Sequence, residues 1–209
     1  MNKIFEFALI GFKQPTIGLQ RCIALLRGIY VVSFCFIFRR NVKIQLPFYV
    51  YQKVTITGPG KVRIGGSCSV YPNDFHGLSI NTCTPQAEVK IGNHGSIGGL
   101  TINCHDRVTI GDRFISAKTL VQDSFFHYTD EVKSKLKNCG WCKAGPIVIG
   151  NNVWLGAQSY VLKGTKLGTD CVVSNGSVCF EKMINEFQLC ACNPVKRTLS
   201  IEHLQKLRQ

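Results

Sequence analysis

The sequence predicts an all-β solenoid in which short parallel strands wind into stacked triangular coils. The first observation is an aliphatic residue at every sixth position: Ile149, Leu155, Val161, Leu167 and Val173. A helix repeats its buried face near every 3.6 residues and a strand every second residue, so neither sustains a strict six. With about one residue in four being Ile, Leu or Val, five consecutive hits arise by chance on the order of once per 1,000 starting points. The second observation is recurrence. Ile64-Gly-Gly-Ser-Cys-Ser leads to Val70, Ile91-Gly-Asn-His-Gly-Ser to Ile97, and Ile110-Gly-Asp-Arg-Phe-Ile to Ser116. The third is punctuation: Gly150, Gly156 and Gly168 directly follow three of the aliphatic residues. Small residues there suit a cramped corner, and Asn or Gly suits turn positions with unusual backbone angles.

A six-residue period resolves into a prism whose three faces, about 18 residues, make one coil. Successive coils stack through parallel ladders about 4.8 Å apart, and the aliphatic residue of each face points inward. The expected organisation is a helical apolar and basic segment over 1–41, the solenoid over 42–180 with an excursion loop at 128–146, and a tail over 181–209. That tail is expected to end in a short helix around Leu199–Leu207. Both open ends of a prism expose strand edges, which these terminal segments can cap or swap between subunits. One extra residue between Ile97 and Ile110, and an irregular stretch from Tyr71 to Glu88, require bulged turns.

Composition narrows the function classes. Lys+Arg 25 against Asp+Glu 12 gives a formal charge of +13, which favours an anionic partner. The basic residues lack the aromatic-interleaved pattern of a nucleic-acid module, so nucleic acid is not the expected partner. Eleven cysteines are odd in number and irregular in spacing, and no cleavable leader is recognisable, so they read as reduced thiols in a cytoplasmic protein. Cys139-Gly-Trp-Cys142 has the spacing of half a zinc site or a redox pair, but Cys190-Ala-Cys192 is too tightly spaced to complete it. No metal is expected. Residues 3–40 interleave apolar runs with Lys13, Arg21, Arg27, Arg39 and Arg40, while the uninterrupted run from Gly28 to Phe38 is shorter than the ~20 residues of a membrane span. That segment lies on a membrane surface, or packs on its own domain or on a sister subunit.

Ile149-Gly-Asn-Asn-Val-Trp-Leu-Gly-Ala, Val161-Leu-Lys-Gly-Thr-Lys-Leu-Gly, Asn175-Gly-Ser-Val and Asn193-Pro-Val-Lys196 resemble the carboxy-terminal half of the hexapeptide-repeat acyltransferases. Within them the stretch looks most like the branch that O-acetylates sugars of bacterial surface polysaccharides. The resemblance is strong over 145–197, fair over 54–130 and only general over 1–50. It implies a left-handed parallel β-helix, a homotrimer with active sites between prisms, acetyl-CoA as acyl donor and a sugar or glycan acceptor.

The family's catalytic base is a histidine in an Asp-[Ser/Thr]-Asp-aromatic-His run before an excursion loop. By resemblance that residue is His127 in Val121-Gln-Asp-Ser-Phe-Phe-His-Tyr-Thr-Asp130, with Phe125 where the family usually has a second Asp. Asp123 or Asp130 is then the candidate to accept the Nδ1 proton and leave Nε2 as the base. A sugar hydroxyl is a poor nucleophile near neutral pH, and histidine titrates where such a base is needed. The resemblance further assigns the amide of Ala157, from a neighbouring subunit, as oxyanion donor. It places Trp154, Ala157, Ser174 and Asn175 along the pantetheine arm, and Lys182, Lys196 and Arg197 at the phosphates. His76, His94 and His105 read as surface or turn residues. Lys133, Lys135, Lys137 and Lys143 in the loop are either a solvated face or, over an active site, a group that holds an acidic acceptor or closes over CoA. N-acetylation of an amino sugar, acetylation of a small molecule, and a non-catalytic solenoid that binds or scaffolds remain the alternatives.

Overall fold

The computed structural model describes residues 15–71, 77–124 and 143–201. His76, His127, Asp130, the Cys139 and Cys142 pair, and Lys133, Lys135 and Lys137 lie outside the described residues, as do most of the loop and residues 202–209.

The described chain is a parallel β-solenoid of about six turns with one N-terminal helix, consistent with a left-handed β-helix. The first coil holds β1 (Val42–Ile44), β2 (Phe48–Val50) and β3 (Val54–Thr57), and the second β4 (Lys61–Ile64), β5 (Cys68–Val70) and β6 (Leu78–Thr82). The third holds β7 (Glu88–Ile91) and β8 (Ser96–Cys104), the fourth β9 (Arg107–Ile110) and β10 (Ile115–Gln122). β8 and β10 each bend round a corner and serve two faces. Then come β11 (Ile147–Ile149), β12 (Trp154–Leu155) and β13 (Tyr160–Leu162), followed by β14 (Lys166–Leu167), β15 (Val172–Val173) and β16 (Val178–Cys179). β17 (Met183–Ile184), β18 (Gln188–Ala191) and β19 (Arg197–Ser200) close the described chain.

Register turns the six-residue period into columns. On the first face Ile64, Ile91, Ile110, Ile149, Leu167 and Ile184 stack inward. On the second, Val70, Ile97, Ser116, Leu155, Val173 and Cys190 do so, and on the third Ile80, Ile102, Val121, Val161 and Cys179. All of these are buried. At about 1.5–3 kcal/mol for each large aliphatic side chain removed from water, the columns are the main cohesive force of the fold. Ser116 is the polar exception, and among the described residues its buried hydroxyl has no hydrogen-bond partner.

The corners are tied by side chains that reach one coil back. Asn151 Oδ1 accepts from the Asp112 amide at 2.8 Å, Asp112 Oδ1 from the Asn93 amide at 2.7 Å, and Asn93 Oδ1 from the Gly66 amide at 3.0 Å. One residue further on in most coils the backbone turns left-handed, at His94, Arg113, Asn152 and Asp170. This agrees with the sequence reading of His94 as a corner residue.

Both ends are capped, by different means. α1 (Pro15–Phe38) begins on a proline, whose missing N–H costs nothing in the first helical turn, and it packs against β1 and β2. Ala24 and Cys35 are buried there, and Gly28 rests on the Phe48 carbonyl so closely that a Cβ could not be accommodated. Just beyond the helix, Arg39 donates to Ile56 O at 3.1 Å and Gly58 O at 2.9 Å, satisfying carbonyls at the outer edge of β3.

At the other end the structure departs from the expected tail. β17 and β18 lie within 181–209 yet continue the parallel stack on β14 and β15. Leu199, expected to start a helix, lies instead in β19, which runs antiparallel to β18 and fills its open edge. Ile201 is helical, and the rest of the expected helix lies outside the described residues.

Candidate functional site

The corner between the second and third faces carries the outward residues singled out from sequence. Trp154 on β12 is 52% exposed and sits between Ile115 and Val172 in an outward column. Its exposure follows from position: it precedes the buried Leu155, and alternate residues of a strand face opposite ways. Ala157 follows at the corner itself. Ser174 and Asn175 occupy the same corner one coil on, where Ser174 Oγ lies 2.8 Å from Ser177 Oγ.

A groove of about 610 Å³ runs along this corner onto the third face. One wall is the stacked left-handed corner residues Gly99, Lys118, Gln158 and Gly176, and the other is the column Thr101, Leu120 and Tyr160. Tyr160, half-exposed in the groove, was not picked out from sequence. The signal was present, because Tyr160 shares the six-residue phase of Trp154.

Lys196 is exposed above the same corner, where Val195 N donates to Val178 O at 2.8 Å and folds the chain back over β16. Arg197 opens β19. Lys182 is not brought to this group; it sits at the far edge of the third face, where its carbonyl accepts from the Lys166 amide at 2.7 Å.

Two expected roles meet a different geometry. The Ala157 amide, expected to face an oxyanion, donates to Asn175 Oδ1 at 2.8 Å. Asn175 repeats here the device that ties the first corner.

Asp123 is fully buried and its two oxygens take four hydrogen bonds. Oδ1 accepts from the His105 amide at 2.8 Å, while Oδ2 accepts from the amides of Asp106 at 2.7 Å and Arg107 at 3.0 Å and from Cys104 Sγ at 3.4 Å. Three of the four bonds crowd onto Oδ2, while Oδ1 holds the His105 amide alone and keeps one acceptor site. Through these bonds Asp123 clamps the turn after β8. That turn holds the extra length between Ile102 and Ile110 that breaks the six-residue count in the sequence.

The excursion leaves and re-enters the solenoid at one place. Beyond Ser124 the described chain resumes at Lys143, and Gly145 N donates to Asp123 O at 2.8 Å. Lys163, buried, donates from Nζ to Lys143 O at 3.3 Å and pairs with Glu181 at 3.6 Å. These two contacts fix the exit of the loop, and sequence alone did not mark Lys163.

The buried thiols are held protonated. Burial, with Asp123 alongside, raises the Cys104 thiol far above its usual range, and burial pushes Cys179 up to about 11 and Cys190 up to about 12. None is activated as a nucleophile. Burial lowers the His105 pKa, partly opposed by Asp123. Cys190 is buried and Cys192 exposed, so the two cannot converge on one ion. Among the described residues no group of three or more His, Cys, Asp or Glu side chains is placed to hold a metal.

Residues 146–179 match the family model described as the hexapeptide repeat of succinyl-transferase. The chain carries hexapeptide repeats. That match and the relatives of this hexapeptide-repeat chain support the hexapeptide-repeat acetyltransferase family. A chloramphenicol acetyltransferase from Klebsiella aerogenes is 27% identical over 139 residues, covering 63% of this chain and 64% of that protein. A putative acetyltransferase from Staphylococcus aureus (strain COL) is 37% identical over 79 residues, 38% of this chain and 39% of that one. The hexapeptide-repeat chain thus spans less than two thirds of either relative. Among solved structures, a galactoside acetyltransferase in complex with coenzyme A aligns with a TM-score of 0.50 at 21% identity, covering 88% of this chain and 84% of that chain. A mutant of AntD, an N-acyltransferase from Bacillus cereus in complex with dTDP and coenzyme A, aligns with a TM-score of 0.52 at 14% identity, covering 79% and 89%. These likenesses establish the solenoid fold.

Proposed function

We propose that this chain is an acetyl-CoA-dependent O-acetyltransferase acting, as a cytoplasmic homotrimer, on a sugar hydroxyl of a bacterial surface polysaccharide or its precursor. The observation that carries the reading is the corner groove. It is straight because coils stack in register, it has an apolar wall at Leu120 and Tyr160, and its far end lies near Lys196. An apolar pantetheine arm ending in phosphates matches that pattern, with Lys196 and Arg197 as charge-assisted donors and Trp154, Ser174 and Asn175 beside the arm.

His127 acts as general base on the acceptor hydroxyl and then returns the proton to the leaving thiol, so no acyl-enzyme is needed. Asp130 or Asp123 is the carboxyl candidate to orient it, and the bonds that tie Asp123 to the turn after β8 favour Asp130. For Ala157 N to meet an oxyanion, the Asn175 side chain has to turn away; the loaded donor supplies the thioester carbonyl for that contact.

The test is His127→Ala in the full chain, followed by CoA thiol release and acceptor mass. A loss of about 100-fold or more in kcat at unchanged acetyl-CoA affinity supports the base assignment. Turnover that survives refutes it, and no acetyl-CoA binding by the wild-type chain points to a non-catalytic solenoid. Acetylation of a small hydroxylated molecule is a second reading, favoured by the chloramphenicol acetyltransferase among the relatives. Mass spectra of glycan and small-molecule acceptors offered side by side separate the two.

A further inference from the structure

We infer that the amino-terminal end of the prism docks on an anionic lipid bilayer, with α1 lying in the interface plane. The helix segment Thr16–Phe38 is long and apolar enough to cross a membrane. Its attachments forbid that. Ala24, Gly28 and Cys35 are seated on the first coil, Arg21 lies over the Tyr49 ring at 5.2 Å, Arg27 donates to Tyr51 O at 3.4 Å, and Arg39 bonds two carbonyls of the solenoid. A helix held along its length by one face cannot also be surrounded by lipid.

The opposite face is left apolar. Leu19, Ile23, Leu26, Tyr30 and Ile37 recur at helical spacing along it, with Leu26 66% and Tyr30 70% exposed. Beside them Tyr30, Phe34 and Phe38 form an aromatic row with ring centroids 6.3 and 5.0 Å apart. Aromatic rings of this kind favour the headgroup boundary of a bilayer.

Charge decides between lipid and a second copy of the chain. Residues 15–71 contain no Asp or Glu and eight Lys or Arg: Arg21, Arg27, Arg39, Arg40, Lys43, Lys53, Lys61 and Arg63. A second prism docked end to end on this ridge would bring two such tips face to face, like charge against like. An anionic surface gains about fivefold in partition for each basic group brought near it.

The experiment is co-sedimentation of the full chain with vesicles of phosphatidylcholine alone or with 30 mol% phosphatidylglycerol, a fraction set by order of magnitude as roughly that of an anionic leaflet. The chain pellets with the anionic vesicles, and raising salt to about 0.5 M weakens this at least fivefold, because the screening length shortens. Leu26→Glu with Tyr30→Glu, on the exposed ridge, lowers partition at least tenfold without changing the circular dichroism melt. Arg40→Glu with Lys43→Glu, which leaves the apolar ridge intact, lowers it at least fivefold. Equal pelleting with both vesicle types, or none with either, overturns the inference. So does a ridge variant that still binds vesicles but elutes at a smaller oligomeric mass, since the face then belongs to contacts between copies. The readout needs no catalysis, so a failure of acetyl transfer leaves it independent.

Discussion

Replacing Asp123 separates a clamp from a catalytic partner. Its oxygens accept from the amides of His105, Asp106 and Arg107 and from Cys104 Sγ. Asp123→Ala orphans all three amides. An unsatisfied buried donor costs about 1–3 kcal/mol, and the lower end applies because these bonds are only partly buried, giving about 3 kcal/mol. That is a large share of a stability of about 5–15 kcal/mol. Asp123→Asn keeps one acceptor oxygen. With Nδ2 turned toward the His105 amide it keeps the two bonds to Asp106 and Arg107 but sets two donors against each other, so its cost is about 2 kcal/mol. Urea unfolding followed by circular dichroism measures both. The Asn variant should retain acetyl transfer in proportion to its folded fraction, with an unshifted pH profile. Unchanged unfolding midpoints together with a loss of about 100-fold in kcat would refute the clamp and restore Asp123 as a partner of His127.

Leu155→Ala removes a fully buried rung and should cost about 3 kcal/mol by the same unfolding assay, since neighbouring coils in register cannot close the gap. His105 has a lowered folded pKa, so the unfolded chain binds the proton more readily. Stability should therefore fall as pH drops below about 6.5 toward the folded value, and His105→Asn should flatten the unfolding midpoint between pH 7 and 5. Timed alkylation with peptide mapping should label the exposed Cys22 and Cys192 first, whereas Cys68, Cys104, Cys171, Cys179 and Cys190 should label only after unfolding.

The prism was legible because its inward columns are local in sequence: Ile149 to Val173 state their own period. The same series runs on through Cys179, then slips by one residue to Ile184 and resumes at Cys190. Counting aliphatic residues alone missed this, since a cysteine can fill a small rung as a buried apolar group. Trp154 was legible for the same local reason, its phase against Leu155. What escaped depends on the coil above. The Asp123 clamp joins residues 16 to 19 positions apart, and Asn175 reaches Ala157 across 18. No pattern within one coil announces either contact. β19 escaped because the need to fill the open edge of β18 is a property of the whole stack. Lys163 escaped because its partners, Lys143 and Glu181, meet only where the excursion returns.

The corner ties also bear on how the molecule comes apart under load. Asn151, Asp112 and Asn93 each join their own coil to the one before, and no tie spans more than two coils. A chain pulled by its terminus therefore loads the bonds between the outermost coil and its neighbour first, as in unzipping. The prism should peel coil by coil from whichever end cap is weaker, each step releasing about 18 residues, or roughly 60 Å of extended chain.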